Sequence, residues 1–381
     1  MPNYSGKWNL PTVMQAEGAG TWPAPPFPGG ELWLWGNNSR GQIGDSTTVA
    51  KSSPVQLGAA TSWARVTSGQ GTTLAIKTTG ALWSVGQGNK GVLGDGTTVD
   101  KSSPAQVGAL TDWLLVSAGY YHAVSVKNDA TLWSWGQSAV GQLGDGTTVA
   151  KSSPIQVGAL TNWVNIAAGA YHTIAYKSDG TLWSWGKGTA GQLGDSTLVN
   201  KSSPIQVGAL TNWTDKITCG TFFSAAIKTD GTLWTFGKNN FGQLGDGTIV
   251  DKSSPVQVGA LTNWDTIGST RSHVIATKTD GTVWTFGYNN VGQLGDGTIV
   301  NKSSPIQVGA LTTWSKVGNS FASSVAIKTD GTLWNWGYNN AGQLGQGNAT
   351  NTSSPVQVGA LTTWARLANG TGSTTAAALK N

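Results

Sequence analysis

The 381-residue sequence predicts an all-β protein: a seven-bladed β-propeller of four-stranded blades, closed by a split blade joining N- and C-terminal strands. Three observations predict it. One unit of about 50 residues recurs seven times, each unit holds four short strand-like segments, and the chain enters and leaves the repeat in mid-unit.

The repeat is anchored by tryptophans. One recurs at Trp33, Trp83, Trp133, Trp183, Trp234, Trp284 and Trp334, at a spacing of 50 broken by a single step of 51 that comes from one extra residue between Trp213 and Ile217. Each copy carries a Ser-Ser-Pro, from Pro54 to Pro355, and a second tryptophan nine residues later, from Trp63 to Trp364. In the copy around residue 170 the strands are expected at 163–167, 172–177, 181–185 and 154–157. "SDGT" (178–181) is the hairpin turn between two of them, because Asp-Gly tolerates the positive φ such turns need. Each Pro is expected to start a strand, where its missing N–H is not required. Residues 186–203 form a loop punctuated by glycines.

The ends fit each other. Entry at "GGELWLWG" (29–36) matches the later "DGTLWSWG", and exit at "AAALKN" (376–381) matches the "TIAYKS" that precedes that turn in other copies. The last unit therefore lacks its third strand, which residues 31–35 can supply. Closure of this kind removes the open sheet edges that invite aggregation. The expected domains are 1–29, an anchor segment with a Pro-rich stalk, and 30–381, the propeller.

Composition agrees. With 54 Gly and 20 Trp, and only 11% charged residues, the chain has many tight turns and many large rings to bury. The net charge of +5 is spread periodically: lysines recur at the Lys51 and Lys77 positions and aspartates at the Asp45 position. Interleaved charges of both signs are not the one-sided basic stripe a duplex needs, so nucleic acid is not expected as a partner. Cys219 is alone, excluding an internal disulfide. No apolar run approaches the ~20 residues of a membrane span, and no signal-peptide pattern opens the chain. Membrane insertion is therefore not expected, and the expected location is a virion or, alternatively, the cytoplasm.

The segment "AAGAYHTIAYKSDGTLWSWGKGTAGQLGD" (167–195) resembles the repeat of the regulator of chromosome condensation family, seven-bladed propellers marked by A-G-x-x-H, D-G-x-x-x-x-W-G and G-Q-L-G. The resemblance covers residues 30–381 and implies the propeller fold. The functions it implies diverge widely: nucleotide exchange on a small GTPase, β-lactamase inhibition, bacterial effectors. Exchange factors of the family carry wedge insertions and irregular blades; this sequence has almost none, so that activity is not carried over.

Four residue patterns could carry chemistry. "GQLGDGT" (141–147) resembles a phosphate or metal loop if read once. It recurs between strands in seven copies, offers one carboxylate per copy and has Gln346 in place of Asp in the last, which is the pattern of a structural turn. His122, His172 and His273 occupy one repeat position held elsewhere by Thr72, Phe223, Ser323 and Thr375; on three separate blades they cannot converge on a metal. Only Glu17 and Glu31 are glutamates, and most aspartates sit in turns, leaving no acid/base pair and no nucleophile–base pair. No catalytic residue, metal ligand or cofactor is therefore expected, and the protein is expected not to be an enzyme.

Binding is the remaining class. The framework is nearly identical between copies, so the positions that differ are informative. They fall in the turn before the His-position strand and in the segment after each Trp-Gly. The candidate recognition residues are Tyr120, Tyr121, Tyr171, Phe222, Phe223, Arg271 and Phe321 in the first, and Tyr288 and Tyr338 in the second. Aromatic and Arg side chains on rim loops are common contact residues.

Residues 1–29 stand outside the repeats. "WPAPPFPGG" (22–30) is a stiff, extended spacer, and "SGKWNLPTVMQAEGAGTWP" (5–23) resembles the short leaders of bacteriophage tail and virion structural proteins. Trp8, Leu10, Val13, Met14 and Trp22 are the expected anchor onto other virion proteins, since so short an apolar segment orders only against a partner. The sequence thus points to a non-enzymatic bacteriophage virion protein, a tail-fibre, collar or capsid-decoration component. Its propeller face is expected to bind a host surface receptor or glycan. The alternative is a soluble interaction module, an inhibitor or secreted effector of the same repeat family.

Overall fold

The computed structural model describes residues 29–368, 370 and 373–381. The predicted anchor residues Trp8, Leu10, Val13, Met14 and Trp22 lie outside the described residues. Seven four-stranded antiparallel sheets follow one another around a central channel. Blades 1 to 6 span 63–106, 113–156, 163–206, 213–257, 264–307 and 314–357; blade 7 is assembled from both ends of the propeller.

Blade 3 shows the plan. Its inner strand Trp163–Ala168 pairs with His172–Lys177, then Leu182–Gly186, then the outer strand Lys201–Gln206. The expected grouping therefore needs correction. The Ser-Ser-Pro strand preceding Trp163, Lys151–Gln156, belongs to blade 2, where it pairs with Leu132–Gly136. Nor does the Pro start its strand. Pro204 sits inside Lys201–Gln206, within the register shift between the Gly186–Lys201 and Ser184–Ile205 pairs. A bulge on an outermost strand is a place where the absent N–H breaks no ladder.

The split blade closes the ring, with an altered division. Its order from rim to axis is Lys51–Gln56, Glu31–Gly36, Thr375–Lys380 and Trp364–Leu367, so each end gives two strands rather than the N-terminus giving one. Glu31 to Gly36 register in full against Lys380 to Thr375.

Local sequence explains the repeated geometry. In the Asp-Gly hairpin Gly180 has φ 83°, and a Cβ there would lie 2.0 Å from the Thr211 carbonyl oxygen. The Thr181 amide donates to Asp179 at 3.0 Å, fixing the turn. In the Gly-rich loop Gly141, Gly144 and Gly146 have φ 80°, 77° and 81°. A Cβ on Gly144 would be 2.7 Å from the Trp185 indole nitrogen of the next blade, and that nitrogen donates to the Gln142 carbonyl at 3.0 Å. The loop is thus a blade-to-blade junction. Its aspartate stays local, accepting from the Thr147 amide at 3.0 Å and pairing with Lys151 at 4.0 Å.

Tryptophans build the core of every blade, three in blades 2, 3, 6 and 7 and two in blades 1, 4 and 5, where Val85, Phe236 and Phe286 fill the third position. Trp163 is buried and meets Trp183 and Trp185 edge-on at 6.1 and 6.2 Å. Lys177 completes the cluster, its ammonium 3.6 Å from the Trp183 ring centre. Burying one such ring removes ~150–250 Å² from water, roughly 4–6 kcal/mol gross. The periodic lysines are therefore internal partners: one set caps tryptophans and the other pairs with loop aspartates, as Lys51 does with Asp45 at 3.0 Å.

Candidate functional site

The antiparallel order puts two segments of every blade at one end: the turn after the inner strand and the segment after the third strand. These are the two segments in which the copies differ, and they touch. Lys187 donates its amide to the Tyr171 carbonyl at 2.9 Å, Lys238 to Phe222 at 2.9 Å, Tyr288 to Ser272 at 2.9 Å and Tyr338 to Ala322 at 3.1 Å. One face therefore collects all the variable loops.

The A-G-x-x-H motif builds that face from below. A Cβ on Gly169 would lie 2.2 Å from the His172 ring, and one on Gly220 1.9 Å from the Phe223 ring, so glycine leaves space for a ring beneath the turn. His122, His172 and His273 are buried there. Their Nε2 atoms meet Thr173, Ser224 and Ser324 of the next blade at 3.1, 3.0 and 2.8 Å. Burial lowers their pKa values to about 4, 3 and 3, so all three are neutral blade-to-blade links at pH 7. Phe223 shares this position and is fully buried. Its assignment to the recognition face is corrected: it supports the turn from inside the blade.

Above this layer, the other predicted residues come together in two groups. Tyr120 meets Tyr121 at 6.4 Å and Tyr171 at 5.7 Å, and Tyr171 stacks on Phe222 at 6.2 Å with 18° between the planes. The Tyr120 hydroxyl lies 3.2 Å from that of Thr221, two blades away. Lys187 and Lys238 approach the Phe222 ring at 4.9 and 5.8 Å. Burial, followed by its neighbours Tyr121 and Tyr120, raises the Tyr171 phenol above its ordinary pKa.

The second group continues around the face. Arg271 is exposed and lies over Phe321 at 5.3 Å; Phe321 meets Tyr338 at 5.9 Å, and Phe241 meets Tyr288 at 4.4 Å. Arg271, Tyr288, Asn290, Phe321 and Tyr338 line a cavity of about 340 Å³. Together the groups form a crescent over blades 2 to 6. The turns beneath are joined from blade to blade, Thr221 donating to Arg271 at 3.3 Å and Arg271 to Phe321 at 3.4 Å.

Two features of this region differ from a simple reading of loop variability. In the segment after each Trp-Gly, Asn239, Asn289 and Asn339 of blades 4 to 6, and Asn38 of blade 7, are fully buried. Asn239, for example, accepts from the Leu244 amide at 2.9 Å and donates to Asp246 at 3.0 Å; it holds the loop, and Asn240 is the exposed member. Sequence reasoning also passed over the inner-strand position two residues after the leading tryptophan. Arg65, Leu115, Asn165, Asp215, Thr266, Lys316 and Arg366 occupy it, and all line the channel. The comparison of sibling copies that marked the loops would have marked this position as well. Among the described residues, no group of three or more His, Cys, Asp or Glu side chains is placed to hold a metal.

The relatives share this architecture. Yeast Prp20p, crystallised in a study of its binding to Gsp1p and histones, superposes with a TM-score of 0.81 at 19% identity, covering 92% of this chain and 91% of that one. Human WBSCR16 gives 0.81 at 20% identity over 92% and 99%. At these identities the likeness is one of fold. The human E3 ubiquitin-protein ligase HERC2 is 44% identical over 45 residues, 12% of this chain. The chain spans about 1% of that relative's length. Residues 29–76 and 79–126 each match the regulator of chromosome condensation (RCC1) repeat, and residues 116–378 match the RCC1-like domain as a whole. With that match covering more than half of its length, the chain belongs to the RCC1-like domain family.

Proposed function

We propose that this propeller is a non-enzymatic binding module whose aromatic crescent docks a protein on a host surface. One observation carries the reading: Tyr121, Tyr120, Tyr171 and Phe222 form an unbroken run of ring contacts across three blades, flanked by Lys187 and Lys238. Half-buried rings held by one another lose little side-chain freedom on binding, and aromatic and Arg anchors carry most interface energy. Prp20p, a propeller of the same fold, is described by its binding to Gsp1p and histones. The test is a variant carrying Tyr120→Ala, Tyr171→Ala, Phe222→Ala and Phe321→Ala, assayed for binding to host envelope. A loss of at least 2 kcal/mol, about 30-fold, is expected. Unchanged binding by the folded variant overturns the reading, and competition by soluble glycans alone identifies a carbohydrate ligand instead.

Placement of the module in a bacteriophage particle rests on the leader sequence at 5–23. Deleting residues 1–24 is expected to leave a folded propeller that no longer joins particles. A truncated protein that still pellets with them removes the anchor.

A further inference from the structure

The cavity between blades 5 and 6 gathers polar groups that the fold itself does not use. Its volume of about 340 Å³ lies at the lower end of the range for small-molecule sites. Its walls are rings. Tyr288 of blade 5 packs against Phe241 of blade 4 at 4.4 Å, and Tyr338 of blade 6 meets Phe321 at 5.9 Å. Each tyrosine is thus braced by a second ring before anything enters.

Arg271 lines the same cavity, exposed, with its guanidinium 5.3 Å from the Phe321 ring centre. Among the described residues no carboxylate pairs with it. Asn290 is the exposed amide of the lining. Beneath them is Gln293, only 1% exposed. Its Oε1 accepts from the Val291 amide at 3.0 Å, which fixes the other end of the side chain as the donor. That donor, Nε2, has no acceptor among the described residues. In blade 4 the matching Gln243 Nε2 donates to Asn240 Oδ1 at 3.4 Å, and in blade 7 Gln42 donates to Asn37 at 3.5 Å. Gln192 and Gln343 share the free donor, so the amide alone is not the signal; its place beneath rings and a guanidinium is. An unpaired buried donor is costly, and a ligand oxygen reaching the floor removes that cost.

These features describe one kind of occupant. The faces of Tyr288, Phe321 and Tyr338 suit a saturated ring whose C–H groups pack on aromatic carbons. A guanidinium without an internal carboxylate selects one from outside and can hold it through two parallel bonds. The amide donors of Asn290 and Gln293 suit hydroxyl or carbonyl oxygens on the same molecule. A lone carboxylate side chain would leave much of the volume empty, and empty space forfeits the contacts of the rings around it. A hydroxyl-bearing ring with one carboxylate is an acidic monosaccharide.

We propose that this cavity binds one acidic sugar unit, its carboxylate on Arg271 and its ring against Tyr288 and Tyr338. The proposal rests on the reading of the crescent as the recognition face. To the ring run of blades 2 to 4, which meets protein, it adds a separate seat for a glycan on the same host surface.

The experiment is a ligand-observed NMR titration of the full chain at low ionic strength. The probes are the methyl glycosides of glucuronic acid, galacturonic acid and N-acetylneuraminic acid, with methyl glucoside as the neutral counterpart. At least one acidic sugar is expected to saturate with a Kd on the order of 1 mM. It is expected to bind about fivefold or more tighter than methyl glucoside. Arg271→Gln, a change at an exposed side chain, is expected to erase that preference, and Arg271→Lys to keep part of it. Tyr288→Ala with Tyr338→Ala, in folded protein, is expected to weaken acidic and neutral sugars alike. Four results overturn the proposal: no saturation by any acidic sugar at tens of millimolar, equal binding of methyl glucoside, a preference that survives Arg271→Gln, or equally tight binding of N-acetylglutamate α-amide. The last assigns the cavity to a protein carboxylate instead. The fourfold alanine variant keeps this test apart from that of the crescent. Lost envelope binding in the variant, with no sugar bound by the parent protein, overturns the sugar site and leaves the crescent standing. Arg271-dependent sugar binding, with envelope binding unchanged in the variant, overturns protein docking and leaves the sugar site.

Discussion

Blades 2 to 6 and the sector formed by blades 7 and 1 share one framework and differ in what they display. At the sequence positions just before the His-position strand, blades 2 to 6 have Tyr120-Tyr121, Tyr171, Phe222, Arg271 and Phe321, whereas the copies that make blades 7 and 1 have Thr371-Gly372 and Gln70-Gly71. Along the channel the asymmetry reverses, with blades 6, 7 and 1 supplying Lys316, Arg366 and Arg65. The positions beneath divide one blade earlier: His or Phe in blades 2 to 5, Ser323 in blade 6, and Thr375 and Thr72 in blades 7 and 1. Where seven copies must fold alike, symmetric positions are set by packing. The positions that break the symmetry are the ones free to recognise something.

The largest test of this contrast compares equivalent core tryptophans in the two sectors. Trp185 of blade 3 and Trp35 of blade 7 are both fully buried and donate to Gln142 and Gln343 carbonyls at 3.0 and 2.9 Å. Each Trp→Ala change is expected to cost about 3–5 kcal/mol in denaturant unfolding. Equal losses show that the two-plus-two closure is as tightly packed as a blade made from one continuous segment. A much smaller loss at Trp35 shows a loose seam.

Acid separates the sectors next. His122, His172 and His273 have folded pKa values of about 4, 3 and 3, below the ordinary 6.5. Their neutral burial stabilises the fold fully above pH 6.5. As pH falls through that value the unfolded chain takes up protons that the folded chain refuses, so stability drops. The slope approaches about 1.4 kcal/mol per histidine for each pH unit between about 5.5 and 4. Replacing the three histidines by the Thr found in blades 7 and 1 is expected to flatten the profile over this window in pH-dependent melting. An unchanged slope assigns the acid response to other groups.

The smallest effect lies in a turn. Blade 2 has Asp129-Ala130 where blades 3 to 6 have Asp-Gly, and Ala130 keeps the positive φ, 59°. Ala130→Gly relieves a left-handed non-glycine residue and is expected to stabilise by about 1 kcal/mol, read as a rise in melting temperature. No gain means that the packing of the Ala130 methyl offsets the strain.

Legibility in the sequence followed how local each feature is. The hairpins could be read because Asp179-Gly180 specifies its own backbone. The loop "GQLGDGT" could be read because seven copies, one with Gln346, rule out a shared chemical duty. The candidate loops were visible as differences between siblings, but Phe223 could not be told from Phe222. A shift of one residue turns a side chain from the surface to the space over Gly220, and only the strand's pleat decides which. The Ser-Ser-Pro strand was placed in the wrong blade because a repeat has no natural starting point: its neighbours before and after are the same distance away in sequence.

By itself, then, the sequence determined the number of blades, the turn chemistry and the closure of the ring, since period, glycine placement and complementary ends are properties of the chain alone. Tertiary structure decided which outer strand completes which blade, that both sets of variable loops share a face, and that Lys316, Arg366 and Arg65 stand together. Those side chains are separated by about 50 residues, or by nearly the whole chain, and become neighbours only when the ring closes and sets their inner strands side by side around one axis.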